Sequence, residues 1–134
     1  MKKRASFFLI LGSGLAGLGV GIGAFGAHVL KGSLEPSMLN VFETAVRYQM
    51  YHALGLCIVS ATMERYSPRQ FEVVSWLFLT GIILFSGSLY VLSVSGIRWI
   101  GVLTPVGGLA WIGGWVIFAW KLWKASRDGE PGSH

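Results

Sequence analysis

The sequence predicts an all-α integral membrane protein, an antiparallel bundle of four transmembrane helices, and three observations predict it. Only 13% of the 134 residues are charged, against about 25% in an average soluble domain, while 53% are hydrophobic and the mean hydropathy is +0.60. Four uncharged runs at 5–30, 48–63, 73–97 and 99–120 hold 26, 16, 25 and 22 residues and cover 89 of the 134 positions. A helix needs about 20 apolar residues to cross roughly 30 Å of hydrocarbon, so three runs span outright and the second is short. The third observation is that the basic residues punctuate these runs rather than forming a face of their own. A soluble globular domain, a disordered chain and a secreted disulfide scaffold are all excluded. The only cysteine, Cys57, lies inside a run and has no partner for an intramolecular disulfide.

The charge of +5 orients the bundle. Lys2, Lys3, Arg4, Arg65, Arg69, Lys121, Lys124 and Arg127 fall on one side if four helices alternate, and Lys31, Arg98 and Arg47 on or near the other. Positive flanks stay cytoplasmic, so both termini are expected inside, in a bacterial inner membrane. With the basic residues committed to helix ends, the lipid bilayer is the expected partner and nucleic acid is not.

The first helix is expected over 6–30. A signal peptide would share its Lys-Lys-Arg start, but the uncharged stretch is longer than an ordinary h-region, and Phe25 and Ala27 make a poor cleavage site before His28. The segment is therefore read as a retained helix. It contains seven of the 19 glycines, a poor helix in water but the only realistic state for a backbone in lipid. Ser13, Gly17 and Gly21 place small residues on one face at i,i+4 spacing, and Gly19 and Gly23 form a second ridge. Such faces admit another backbone, either within the bundle or from a second copy.

After a polar connection, Ser37 offers an N-cap for a second helix to about Met63. Leu39, Phe42 and Val46 share one face among Asn40, Glu43 and Arg47, which predicts an interfacial start that enters the membrane near Tyr48. A third helix over 70–95 and a fourth over 99–124 follow as a tight hairpin. Pro105, with Gly107 and Gly108, predicts a kink or broken turn. Trp76, Trp99, Trp120 and Trp123 fall near the interfaces, whereas Trp111 and Trp115 lie deeper and are expected to pack between helices. Residues 1–126 form one domain, and 127–134 are a polar tail expected to be disordered.

With the termini inside, polar residues of all four helices converge in the extracytoplasmic half. They are His28; Glu43, Arg47, Tyr48, Gln49 and His52; Ser86, Ser88 and Tyr90; and Thr104. On the second helix, Arg47, Tyr51, Thr44, Gly55, Tyr48 and His52 lie within about 140° of arc. Glu43 precedes Arg47 at the favourable i,i+4 spacing for an ion pair. Polar groups at membrane depth face the bundle interior, so this arc is expected to point inward, towards His28 and Tyr90. His28 and His52 could serve as axial ligands, yet no cysteine or acidic cluster accompanies them and no Cys-x-x-Cys-His occurs. No metal or cofactor is expected. Nor is an enzymatic activity, since there is no Ser-His-Asp arrangement, P-loop or dinucleotide fingerprint.

Four motifs carry a family resemblance: Gly23-Ala24-Phe25-Gly26-Ala27-His28-x-Leu30; Tyr48-Gln49-x-x-His52-x-Leu54; Leu84-Phe85-Ser86-Gly87-Ser88-Leu89-Tyr90; and Thr104-Pro105-Val106-Gly107-Gly108 with Gly114-Trp115. In this order they resemble the YgdD/YwdK-like family of small bacterial membrane proteins, domain of unknown function family 423. The resemblance covers about residues 10–120 and implies a four-helix inner-membrane protein but no reaction. Two functional classes stay open. One is a packing or accessory membrane component, as a homo-oligomer or a subunit of a larger complex, using the glycine faces. The other is binding or transport of a small polar solute or proton through the polar cluster, although four helices leave little room for a two-state pathway in a monomer.

Overall fold

Backbone polar groups in hydrocarbon must be satisfied within their own segment, and the chain meets this with helix throughout. Its elements are α1 (Lys2–His28), α2 (Pro36–Arg65), α3 (Pro68–Gly81), α4 (Gly87–Ser95) and α5 (Leu103–Asp128). A π-helical segment, Ile82–Ser86, joins α3 to α4 without a break, so these two form one rod; 3₁₀ turns occupy Leu30–Gly32 and Arg98–Val102. The computed structural model describes residues 2–128. The disorder expected of the tail therefore falls mostly outside the described residues, although α5 itself continues to Asp128.

The four expected rods are present. Three segments, Lys3–Gly32, Pro68–Ser95 and Arg98–Asp128, are long and apolar enough to cross a membrane. The rod α2 is as long, at 30 residues, about 45 Å at 1.5 Å per residue, but Asn40, Glu43 and Arg47 make its first turns less apolar. Adjacent rods are antiparallel. Arg4 at the start of α1 pairs with Glu72 at the start of α3, and Tyr66 after α2 shares a cavity with Lys124 near the end of α5. One end of the bundle thus gathers Lys3, Arg4, Arg65, Arg69, Lys121, Lys124 and Arg127.

The helix termini follow local chemistry. Pro36, not Ser37, sets the start of α2: it occupies the first helical turn with Glu35 as N-cap, and no side chain caps the helix. A proline there loses no intrahelical bond, because its N–H would have been unpaired in any case. The same reasoning corrects the expectation for Pro105. It is the third residue of α5, so no interior kink results, and the irregularity lies earlier, in the 3₁₀ turn. Gly96 ends α4 with φ +72°, its N–H bonded to the Leu92 carbonyl at 2.9 Å, and so closes the expected hairpin.

The rod α2 is central: α1 packs almost wholly on it, the α3–α4 rod packs on its other side, and α5 packs on that rod. The α1–α2 seam has a seven-residue repeat. Ala5, Gly12, Gly19 and Gly26 are the buried small residues of α1, opposite a face of α2 on which Phe42, Gln49, Leu56 and Met63 are buried at the same spacing. This is the repeat of a left-handed crossing. A Cβ at Gly12 would stand 2.9 Å from the Ala53 carbonyl oxygen, and one at Gly19 2.7 Å from the Met50 sulfur. A Cβ at Gly23 would stand 3.1 Å from Val46 on α2, so the Gly19–Gly23 ridge lies at an intramolecular contact. Gly17 and Gly21 do not: nothing lies within 4 Å of either, and both face outward.

Candidate functional site

The bundle interior divides along its length. Towards the basic end it is apolar, built on Phe8, Val59, Met63, Phe71, Val74 and Phe118. From mid-depth to the other end, polar side chains enter the seams. Gln49, 2% exposed, lies where α2 faces both α1 and α4. Its amide nitrogen donates to the Leu15 carbonyl at 2.9 Å and its oxygen accepts the Tyr90 hydroxyl at 2.6 Å. One side chain thereby fastens three rods. Gly19 makes room for it, since a Cβ there would sit 3.4 Å from the Gln49 amide nitrogen.

The π segment supplies the next connection. Ser86, fully buried, donates to the Ala45 carbonyl at 2.8 Å. Ser88 donates to the Phe85 carbonyl at 2.9 Å and lies 2.6 Å from the Thr104 hydroxyl. With the Ser88 proton so engaged, Thr104 is the donor between α5 and α4. Gly107 permits this approach, because a Cβ there would lie 2.5 Å from the Phe85 backbone nitrogen. Insertion of a π turn is a recurrent way of re-aiming side chains within a helix.

His52 is the third centre. Its ring stacks parallel to that of Trp111, with centroids 3.8 Å apart and an interplanar angle of 4°. The Trp115 indole N–H donates to His52 Nε2 at 3.0 Å, and Nδ1 lies 2.9 Å from the Tyr48 carbonyl. An indole only donates, so Nε2 is the acceptor and Nδ1 carries the proton: the network assigns a neutral imidazole with both nitrogens in use. Trp111 donates in turn to the Phe78 carbonyl at 3.1 Å. Its indole occupies the space over Gly81, where a Cβ would be 2.1 Å from the indole nitrogen. Both deep tryptophans therefore pack between helices, as their depth predicts, and Trp111 is buried whereas Trp115 is 40% exposed.

Of the residues the sequence brings forward, Gln49, His52, Ser86, Ser88, Tyr90 and Thr104 enter this network. Tyr48 joins it by stacking on Trp111, with centroids 5.8 Å apart. His28, Glu43 and Arg47 do not; all three are exposed. Among the described residues the ion pair formed is Arg4–Glu72, and Glu43 and Arg47 form none. The inward arc expected on α2 is displaced: the buried face centres on Ala45, Gln49, His52 and Leu56, about 100° round the helix from the predicted centre at 100° per residue. The physical reason is depth. Glu43 and Arg47 lie in the first turns, where charged heads reach water without turning inward. Gly81, which admits α5 against α3, and Gly107, which admits the π segment against α5, are legible only once their partners are known: each is a small residue opposite a large aromatic.

Among the described residues no group of three His, Cys, Asp or Glu side chains lies close enough to hold a metal ion. The polar groups at this site bind helix to helix. Ser75 is the exception, a fully buried hydroxyl with no partner.

Comparison with known proteins adds a family. A family model described as "Protein of unknown function (DUF423)" matches residues 22–108, which include most of the four motifs. The chain is 48% identical to the UPF0382 membrane protein YwdK of Bacillus subtilis over 111 residues, 82% of this chain and 90% of that protein. A UPF0382 membrane protein of Staphylococcus haemolyticus is 44% identical over 117 residues, 87% of this chain and 95% of its own length. Another, from Staphylococcus saprophyticus, is 47% identical over 120 residues, 87% and 97% respectively. No solved structure matches the chain.

Proposed function

This chain belongs to the DUF423 family of proteins of unknown function, and from that premise we propose that it is a packing or accessory component of the bacterial inner membrane, without enzymatic activity. One observation carries the reading: the polar side chains that lie in the seams between helices are hydrogen-bonded across them, to one another or to backbone carbonyls. A binding or transport site would hold donors or acceptors in reserve for its solute. Here Gln49, His52, Ser86, Ser88 and Thr104 each make a helix–helix hydrogen bond.

In this reading α2 is the fourth span, with Gln49, His52 and Ser60 screened from lipid by its central place, and both termini lie in the cytoplasm with the basic end. The outward strip at Gly17 and Gly21 is where the chain meets a second copy or another membrane subunit. Native mass spectrometry from a mild detergent tests the proposal. The expected spectrum shows the chain in association with itself or other subunits and no retained small polar solute. A monomer carrying such a solute would overturn it.

A further inference from the structure

The basic end of the bundle contains a cavity that the interhelical network does not use. It measures about 460 Å³ and lies between the connection from α2 to α3 and the last turns of α5, within the range of roughly 300–1,000 Å³ usual for ligand clefts. Tyr66, Trp120, Lys121, Lys124, Ala125 and Asp128 are among the residues that line it. Among the described residues neither lysine forms an ion pair, with Asp128 or any other carboxylate. The Lys124 ammonium lies 5.9 Å from the Trp120 ring centroid. Arg65, Arg69 and Arg127 surround this end of the bundle.

Two unpaired ammonium groups in one cleft call for an anion. The side of the cleft suggests which kind. Trp120 is exposed, and the residues at its i−4 and i−8 positions, Val116 and Ile112, are exposed too. On a helix these lie on one stripe, so an apolar track runs from the cavity along α5 towards the bilayer centre. A soluble phosphate has no use for that track, whereas an acyl chain does. Basic pockets between transmembrane helices, next to a leaflet rich in anionic lipid, are established headgroup sites.

We propose that this cavity binds the phosphate headgroup of an anionic phospholipid, held by Lys121 and Lys124 with an acyl chain along Trp120, Val116 and Ile112. The test uses the full chain in mild detergent, with lipid binding read by native mass spectrometry. Phosphatidylglycerol and phosphatidylcholine of identical chains are titrated separately, and inorganic phosphate and glycerol phosphate serve as soluble competitors. At least a fivefold preference for phosphatidylglycerol is expected. Lys121→Gln with Lys124→Gln should reduce it to less than twofold, and so should Ala125→Phe, which fills the cavity without changing charge. Arg69→Gln with Arg127→Gln, which removes the same two positive charges from this end of the bundle but outside the cavity, should keep the preference. Melting temperatures matching the wild type would establish that the variants fold. No preference in the wild type, an unchanged preference in the double lysine variant, or an equal loss with Arg69→Gln and Arg127→Gln together would overturn the proposal. Displacement of the lipid by inorganic phosphate at equal concentration would overturn the assignment to lipid.

Discussion

Tyr90 and Gln49, 41 residues apart in the chain, meet hydroxyl to amide oxygen at 2.6 Å between α4 and α2. The same amide reaches the Leu15 carbonyl on α1. Interhelical hydrogen bonds at membrane depth average about 0.6 kcal/mol and reach about 1.7, and a buried acceptor left unmatched costs about 1–3 kcal/mol. Tyr90→Phe should therefore lower stability by about 1–2 kcal/mol. Gln49→Ala, which also breaks the bond to α1 and leaves a void, should lower it by more. Unfolding in detergent, followed by near-ultraviolet circular dichroism, measures both.

The seven-residue seam separates the glycines of α1 by role. Gly12→Leu drives a side chain into the Ala53 backbone and should destabilise the fold by about 1–3 kcal/mol or more, as overpacking does. Gly17→Leu meets open space and should leave the melting temperature of the isolated chain within the range of Ile10→Leu, an exposed apolar control. If Gly17 and Gly21 contact a partner, Gly17→Leu should nonetheless reduce assembly in native mass spectrometry. Equal destabilisation by Gly12→Leu and Gly17→Leu would contradict the seam.

His52→Ala removes a ring stacked on Trp111 and the acceptor of the Trp115 indole. Truncations of this size in a packed interior cost about 2–5 kcal/mol. The loss should appear as a lower melting temperature with a red shift of tryptophan emission. In the intact protein, nitrogen chemical shifts of the imidazole should report a proton on Nδ1 and none on Nε2. A protonated Nε2 would contradict the hydrogen bond from Trp115.

Ser75 is a buried hydroxyl without a partner, so Ser75→Ala removes a desolvated group and loses no bond. Its stability should equal or exceed that of the wild type. A loss above about 1 kcal/mol would show that the hydroxyl has a partner.

Glu43 and Arg47 stand exposed and unpaired with each other. Glu43→Gln and Arg47→Gln should each change stability by less than about 0.5 kcal/mol, the ordinary range for surface changes. The double variant should equal the sum. A coupling energy above about 1 kcal/mol would restore the ion pair suggested by their spacing.

The rods were legible because charge is absent over long runs and returns at their ends, a signal that does not depend on knowing which face is buried. The faces were harder to read. In α1, seven glycines put a small residue on nearly every side, so i,i+4 spacing at Ser13, Gly17 and Gly21 competed with i,i+7 spacing at Ala5, Gly12, Gly19 and Gly26. Only the position of Phe42, Gln49 and Ala53 on α2 decides between them. In α2, the rule that polar groups turn inward applies at hydrocarbon depth. It holds for Gln49 and His52, and it misplaces Arg47, which lies nearer the helix start. The π segment Ile82–Ser86 has no local sequence signal. It shows in the contacts it permits, Ser86 to Ala45 and Gly107 to Phe85.

The central claim is that the polar interior fastens helices and binds no solute. Replacing Gln49 and Tyr90 together, as Gln49→Met with Tyr90→Phe, substitutes apolar groups of similar shape for both partners, a change that can be nearly neutral for stability. Complementation of a deletion strain by this double variant is the most direct test. The account predicts a folded, membrane-inserted protein that complements as well as the wild type. A double variant that folds with wild-type stability and fails to complement would contradict it, because the lost function would then reside in the polar groups themselves.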